Sequence, residues 1–224
     1  MVTRPSPRPR TFRLAGLEFD LRATVAFVAA TLLLTLERYH DLVPATDSLQ
    51  ALRGAAADSS LYYLLIPLLI IYFGFGESPR AYGLTLGDWR QGLKLTLVVV
   101  GCVLPLVAFA SRSPAMQAYY AGEAGQWLEL VSPIAVSLIG WEFLFRGFLL
   151  FSLVAVMGPT AIIAQAVPFA LAHLGKPEIE TITTIVGGSL FGWVAWRTRS
   201  FVYPYLIHLA IYTLTVVLAT AFPI

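Results

Sequence analysis

The feature that most constrains this chain is a series of seven apolar segments separated by short polar stretches. The segments lie at 21–36, 61–75, 93–110, 126–157, 159–174, 179–196 and 201–222. A helix needs about 20 mostly apolar residues to cross the hydrocarbon core of a bilayer. Only 12% of the residues are charged, whereas soluble domains average about 25%. The sequence therefore predicts an all-α polytopic transmembrane helix bundle of about seven spans, or eight if the long fourth segment counts twice.

Basic residues are concentrated in alternate loops. Four arginines fall within the first 13 residues, and other basic residues lie in the loop at 77–94 and the turn at 197–199. Because cytoplasmic loops are enriched in Lys and Arg, this pattern predicts an N-terminus inside and a C-terminus outside. We expect an unstructured basic cytoplasmic tail at 1–20 and one transmembrane domain at 21–224, with its motif-bearing half at 126–222. The net charge of +2 does not indicate binding of nucleic acid. The expected environment is the lipid bilayer of a bacterial cytoplasmic membrane.

Four ionisable side chains lie within or at the end of predicted spans, namely Glu142, Arg146, His173 and His208. Ionisable residues at membrane depth are costly, so each is a functional candidate. Glu142 and Arg146 are four residues apart and share a helix face, where they can pair. Considered alone, these two residues fit a structural ion pair as well as a catalytic site.

The two histidines extend this pattern to two further spans. His173 closes the run F-A-L-A-H, and His208 shares a helix face with Tyr212. Polar side chains inside a bundle must face one another or a water-filled cavity. The sequence therefore predicts a polar pocket lined by Glu142, His173 and His208, with Arg146 and Tyr212 in support. Such a pocket could take a proton from water and donate to a developing oxyanion.

The runs WEFLFRG and FALAH, followed by a histidine in a late helix, resemble the CAAX-protease and bacteriocin-processing (CPBP or Abi) family of glutamate-type intramembrane endopeptidases. The family motifs read E-E-x-x-x-R, F-x-x-x-H and H-x-x-x-N or D. Glu142 and Arg146 match the first motif, Phe169 and His173 the second, and His208 the third. The resemblance implies hydrolysis of a peptide bond in a membrane-anchored peptide or protein. In that scheme the glutamate and the first histidine activate water, the late histidine helps to stabilise the oxyanion, and no metal or other cofactor is required.

Two positions depart from the family pattern. Trp141 stands where the family has its first glutamate, which is usually credited as the general base, and Tyr212 replaces the asparagine or aspartate of the third motif. The W-E-F-x-F-R-G variant resembles bacterial sorting-type members, such as myxosortase-like proteases that cut C-terminal anchoring signals. The alternative is a catalytically inactive scaffold or immunity protein.

Two other functions are compatible with an apolar bundle. Zinc could be bound by Glu142, His173 and His208 with one position left open, although the chain has no H-E-x-x-H run. A transporter would favour internal repeats, and the sequence contains none.

The depth of the site raises a difficulty at this stage. At ~1.5 Å per residue, Glu142 lies ~24 Å along a helix from Gln126, and His173 lies ~21 Å from the opposite face when counted from Pro159. Because the two distances are counted from opposite faces of a ~30 Å core, Glu142 and His173 would lie at different depths in it. A shared site therefore requires the fourth segment to begin outside the core or to tilt, or the fifth to begin below the membrane edge.

Overall fold

The computed structural model of the protein describes residues 10–43, 47–125 and 127–221. It begins with a β-hairpin, in which β1 (Thr11–Leu14) pairs with β2 (Leu17–Asp20). Ala15 and Gly16 form its turn with positive φ angles of 51° and 80°. The end of the predicted unstructured tail is therefore folded, because this turn lets two short strands pair. Arg4 and Arg8 lie outside the described residues.

The rest of the described chain is helical. Its helices are α1 (Leu21–Tyr39), α2 (Ser48–Asp58 through Ile70–Phe75), α3 (Trp89–Ala110), α4 (Pro114–Tyr120), α5 (Trp127–Glu142 through Leu150–Met157), α6 (Ala161–Ala164 and Ala166–Leu171), α7 (Glu178–Thr198) and α8 (Val202–Ala221). Short 3₁₀ turns lie at Pro79–Tyr82, Ala121–Glu123 and Gly158–Thr160, and π-helical segments lie at Ser59–Leu65, Ile70–Phe75 and Phe143–Leu149. The predicted all-α bundle is confirmed.

All seven predicted apolar segments are helical, with one large error at a boundary. The second was predicted to begin at residue 61, but α2 begins at Ser48. Its first turns carry Gln50, Arg53 and Asp58, so they lack the apolar run on which the prediction depended. Asp47 caps this helix, since its carboxylate accepts from Gln50 N at 2.8 Å.

Four helical stretches of the described chain are long and apolar enough to cross a membrane: Leu49–Phe75, Trp89–Ala110, Glu129–Leu171 and Val202–Ala221. The third has 43 residues, or ~65 Å of straight helix, about twice the thickness of the hydrocarbon core. Gly158, with φ 55° and ψ −138°, ends α5 and makes this stretch a helical hairpin. Helices α1 and α7 coincide with predicted segments one and six but are not among the four.

The hairpin turn resolves the difficulty over depth. Counted back from Gly158, Glu142 lies ~24 Å along α5, and counted forward from Thr160, His173 lies ~20 Å along the returning segment. The two residues are therefore nearly level. Helix α5 is longer than the core is thick, so its first turns extend beyond it, as the shared site requires. The contact between the Trp141 and His173 rings, with centroids 5.9 Å apart, shows the same alignment directly.

The small residues of α7 permit its close approach to α6. A methyl group added at Gly188 would lie 2.8 Å from Phe169 Cδ1, and one added at Gly192 would lie 2.5 Å from Gln165 Nε2. Gly187 has no atom within 4 Å of the equivalent position. Gly188 and Gly192 therefore form a close-packing face, and it is directed at the segment that carries the F-x-x-x-H motif.

This pair of neighbouring glycines gives a matched test of packing. Gly188→Ala is expected to lower the free energy of unfolding by on the order of 1–3 kcal/mol, because the core at Phe169 must shift. Gly187→Ala should be neutral or stabilising, since alanine favours helix more than glycine does. Denaturant titration of the two variants in detergent measures the difference. Equal stabilities for the two variants would contradict the tight packing of α7 on α6.

Candidate active site

The centre of the bundle is the π-helical segment of α5. All residues from Phe143 to Leu149 are buried, and this run separates Glu142 from the regular helix that follows. Its apolar side chains, including Phe143, Phe145 and Phe148, pack into the main core cluster. Single π-helical turns within α-helices are frequent at functional sites. The segment places one carboxylate and one guanidinium in the middle of an apolar core.

Glu142 is completely enclosed and has two cationic or ionisable neighbours. Its Oε1 accepts from Arg146 Nη1 at 3.2 Å and pairs with His208 Nδ1 at 2.7 Å. Its Oε2 is also buried and has no hydrogen-bond partner among the described residues. One oxygen of the carboxylate is therefore used for positioning, while the other keeps its lone pairs free.

Arg146 is held by aromatic rings as well as by the carboxylate. Its guanidinium carbon lies 3.9 Å from the centroid of the Phe169 ring and 5.2 Å from that of Phe191. Its Nη2 donates to Gly188 O at 3.5 Å. Cation–π contact is strongest where water is excluded, and Arg146 has no exposed surface. The arginine thus joins α5, α6 and α7 behind the carboxylate.

The orientation of His173 is fixed by a backbone bond. Helix α6 ends at Leu171, and His173 Nδ1 lies 2.8 Å from Phe169 O. A carbonyl oxygen can only accept, so Nδ1 carries the hydrogen. In the neutral ring Nε2 therefore has a free lone pair, which can accept a proton. Thr181 Oγ1 donates to His173 O at 2.9 Å and fixes the backbone of the same residue.

The two histidines face one pocket. Its volume is about 270 Å³. The lining residues are Leu52, Tyr119, Glu123, Ile134, Ser137, Leu138, Trp141, Ala172, His173, Lys176, His208 and Tyr212. Glu142 is not among them, and it reaches the pocket through its bond to His208. The structure thus brings the predicted residues Glu142, His173 and His208 together, with Arg146 and Phe169 behind them.

The two departures from the family pattern both lie in the wall of this pocket. The Trp141 ring makes edge contacts with the rings of His173 and Tyr63, at centroid distances of 5.9 and 5.4 Å. Tyr212 donates its hydroxyl hydrogen to Glu123 Oε1 at 3.3 Å. Trp141 therefore contributes an apolar wall where a second carboxylate was expected, and Tyr212 contributes a phenol tied to an acid from another segment.

Glu123 was missed by the sequence prediction, because it lies outside the predicted apolar segments. Burial is the largest influence on its carboxyl group and raises the pKa above its ordinary value. Lys176 also lines the pocket and donates from Nζ to Glu180 Oε1 at 2.6 Å. No spacing rule links residue 123 to residue 212, so only the folded arrangement reveals this polar entrance.

Gln165 was also missed. Its side chain is fully buried, and Nε2 donates to Gly188 O at 2.9 Å and to Ile162 O at 2.7 Å. Gly188 O is the same oxygen that accepts from Arg146. A sequence signal did exist, because Gln165 is the one amide in an otherwise apolar segment.

Within the described residues, no group of three or more His, Cys, Asp and Glu side chains is arranged to hold a metal ion. Glu142, His173 and His208 therefore do not form a ready set of zinc ligands. In each of these two histidines Nδ1 is already hydrogen-bonded: in His173 to the Phe169 carbonyl oxygen, and in His208 to the Glu142 carboxylate.

Comparison with known families bears on the part of the chain that builds this pocket. The family described as type II CAAX prenyl endopeptidase Rce1-like matches residues 123–214. The match over these residues is consistent with the CAAX-protease (CPBP) family. The CAAX-protease match begins at Glu123 and includes all three motifs together with Tyr212. Searches of the curated proteins and of the solved structures gave no match.

The match over residues 123–214 agrees, at the level of the family, with the resemblance read from WEFLFRG and FALAH. It also supports an integral membrane protein of the protease class, in agreement with the apolar helices. The myxosortase-like subgroup stays a prediction. The roles of individual residues are likewise predictions.

Proposed function

We propose that the protein is an intramembrane endopeptidase that hydrolyses a peptide bond of a membrane-anchored substrate. The observation that carries this proposal is the convergence of Glu142, His173 and His208, from three helical segments, on one pocket within the bundle. The 2.7 Å contact between Glu142 Oε1 and His208 Nδ1 joins residues 66 positions apart in the chain. The pocket supplies a base, a carboxylate and a potential donor where a peptide carbonyl could be placed.

Activation of water is assigned to Glu142 and His173. Once water enters from the pocket as far as the enclosed Glu142 Oε2, a water molecule held between that oxygen and His173 Nε2 would have acceptors for both of its hydrogens. As the water attacks the carbonyl carbon, His173 takes one proton and later gives it to the leaving amine. Proton transfer of this kind contributes about 10²–10⁴-fold to a reaction rate. Arg146 holds the carboxylate in place and does not contact the substrate.

Stabilisation of the oxyanion is assigned to His208. Its Nδ1 is held by Glu142, so the ring orientation is fixed and the other nitrogen is available to a ligand in the pocket. With hydrogens on both ring nitrogens, His208 could donate from Nε2 to the oxyanion, and a preorganised donor of this type contributes about 10²–10³-fold.

A second candidate function is an inactive scaffold of the same family, and one observation favours it. Trp141 occupies the family position of the first glutamate with an apolar ring that packs against His173. The pocket then depends on the single carboxylate of Glu142. Measurement of cleavage separates the two candidates, because the scaffold should retain its fold and its pocket without hydrolysing peptides.

The three histidines provide a controlled test of the peptidase. His173→Ala and His208→Ala are each expected to lower the cleavage rate by at least about 10²-fold. His40→Ala should leave it unchanged, because His40 is exposed and distant in sequence from the motifs. The assay uses purified protein in detergent with a library of membrane-anchored peptides, read by mass spectrometry.

The outcomes of this assay are distinct. Cleavage that survives both histidine substitutions would exclude the proposed chemistry, and an intact fold with no cleavage by the unsubstituted protein would favour the scaffold. Loss of cleavage on treatment with EDTA, restored by added zinc, would favour the zinc alternative.

A further inference from the structure

Contacts between connecting segments define one end of the bundle, here called the basic end. Arg10 Nη1 donates to Phe75 O at 2.9 Å, and Arg22 pairs with Glu77. Tyr203 Oη donates to Leu86 O at 2.7 Å. The backbone of the loop after α2 is bonded to the turn between α7 and α8 through Asp88 N–Thr198 O at 3.0 Å and Phe201 N–Gly83 O at 3.2 Å. The N-terminal hairpin, this loop and this turn therefore lie together.

Positive charge is unequally divided between the two ends. In the described part of the chain, eight basic residues lie at the basic end and four near the opposite one. The eight are Arg10, Arg13, Arg22, Arg80, Arg90, Lys94, Arg197 and Arg199, and the four are Arg38, Arg53, Arg112 and Lys176. Short loops rich in Lys and Arg stay in the cytoplasm. The asymmetry identifies the basic end as the cytoplasmic one.

The pocket opens toward the other end. Helix α8 starts at the basic end, and Tyr212 lies one turn farther from that end than His208. The entrance is built from Tyr119, Glu123, Lys176 and Tyr212. Tyr119 and Glu123 lie between α3 and α5, and Lys176 lies between α6 and α7, at the end away from the basic loops, whereas Tyr212 lies within α8.

Two further contacts tie this entrance to the helix ends opposite the basic loops. Tyr120 Oη donates to Glu180 Oε2 at 2.8 Å, near the start of α7. Trp127 Nε1 donates to Thr220 Oγ1 at 2.9 Å, near the end of α8. The start of α7 and the end of α8 are both about one helix length from the turn that joins these helices at the basic end. Glu123 and Lys176 thus lie near the end of the bundle opposite the basic loops, while Tyr212 lies midway along α8.

We infer that the active-site pocket opens at the non-cytoplasmic face, and that its substrates are membrane-anchored proteins cut on that face. The inference rests on the proposed peptidase function for the substrate, but the orientation of the pocket is independent of it. A peptide presented from the cytoplasm, such as a lipid-modified C-terminus exposed there, would approach the basic end, where the loops and the turn are bonded together. A segment that emerges from the membrane on the opposite side would meet Glu123, Lys176 and the two tyrosines first.

Cysteine accessibility tests the orientation without any need for activity. Cys102 is the single cysteine, so Cys102→Ala gives a background free of thiols. Ala124→Cys, beside the entrance, and Ala81→Cys, at the basic end, are a matched pair: both alanines are exposed, and neither substitution alters charge. A membrane-impermeant maleimide should label Ala124→Cys in intact bacterial cells, and Ala81→Cys only after permeabilisation. Labelling of Ala81→Cys in intact cells, alone or together with Ala124→Cys, would overturn the inference.

Vesicles of known orientation test the substrate class. Membrane-anchored fluorogenic peptides added from outside should be cleaved by right-side-out vesicles and spared by inside-out vesicles that contain the same amount of protein. Cleavage confined to inside-out vesicles would overturn the inference. If the labelling result holds and neither vesicle cleaves any peptide, the orientation stands and the proposed peptidase function fails.

Discussion

Glu142→Gln is expected to lower the rate of peptide cleavage by about 10²–10⁴-fold, the usual contribution of proton transfer, because the carboxylate orients and polarises the water from which His173 takes a proton. The amide preserves the size of the side chain and can still accept hydrogen bonds from Arg146 and His208. It cannot supply the negative charge that holds His208 and polarises water. The loss should therefore appear mainly in kcat, while binding of the substrate changes little. Initial rates over a range of peptide concentrations measure both quantities.

Glu129→Gln is the matched control for this substitution. Glu129 lies on the same helix as Glu142, but its side chain is exposed. The control should cleave at the rate of the unsubstituted protein. Undiminished cleavage by Glu142→Gln, with a folded protein and a functioning control, would remove Glu142 from the mechanism.

Arg146→Ala is expected to destabilise the folded protein by about 3–5 kcal/mol. The substitution leaves the enclosed carboxylate of Glu142 with one ionisable partner, His208, and it removes the guanidinium that stacks on Phe169 and bonds to Gly188 O. A buried charge that loses its partner is much more costly than an exposed one. Denaturant titration in detergent, followed by tryptophan fluorescence, measures the loss.

Two companion variants complete this test. One removes an exposed arginine elsewhere, and the other separates charge from shape at position 146. Arg112→Ala removes an exposed arginine and should change stability by less than about 0.5 kcal/mol. Arg146→Lys restores the charge but not the planar group that stacks on Phe169, so it should recover only part of the lost stability. Full recovery of stability by Arg146→Lys would mean that stacking on Phe169 contributes nothing. A wild-type stability of Arg146→Ala would show that the Glu142–Arg146 pair is not needed for folding.

Most of the helices could be predicted because each contains a long run of mostly apolar residues. The prediction failed where that signal is absent: the amphipathic start of α2 carries Gln50 and Arg53, and the N-terminal hairpin depends on a turn at Ala15 and Gly16. The number and positions of the long helices therefore follow from hydrophobicity. The polar start of α2 and the N-terminal hairpin do not.

The site was predicted in part, for a similar reason. Glu142, His173 and His208 are conspicuous because polar side chains are rare at membrane depth, and their order along the chain matches a family. Glu123 gave no comparable signal, since an acid in a loop is ordinary until the fold places it beside Tyr212. The depth of the site was also misjudged at first, because it must be measured from the hairpin turn at Gly158 and not from opposite ends.

The π-helical run in α5 has a consequence for how this protein can vary. A π-helical turn accommodates one residue more than an α-helical turn. Deletion of a single residue between 143 and 149 could therefore convert the run to regular helix and leave the two flanking parts of α5 facing nearly as before. Conversion to regular helix without a deletion would instead rotate one part by about 100° relative to the other. Glu142 would then turn away from His208 even though every helix remained, so the wide turn itself, as much as the chemistry of its side chains, keeps the two residues in contact.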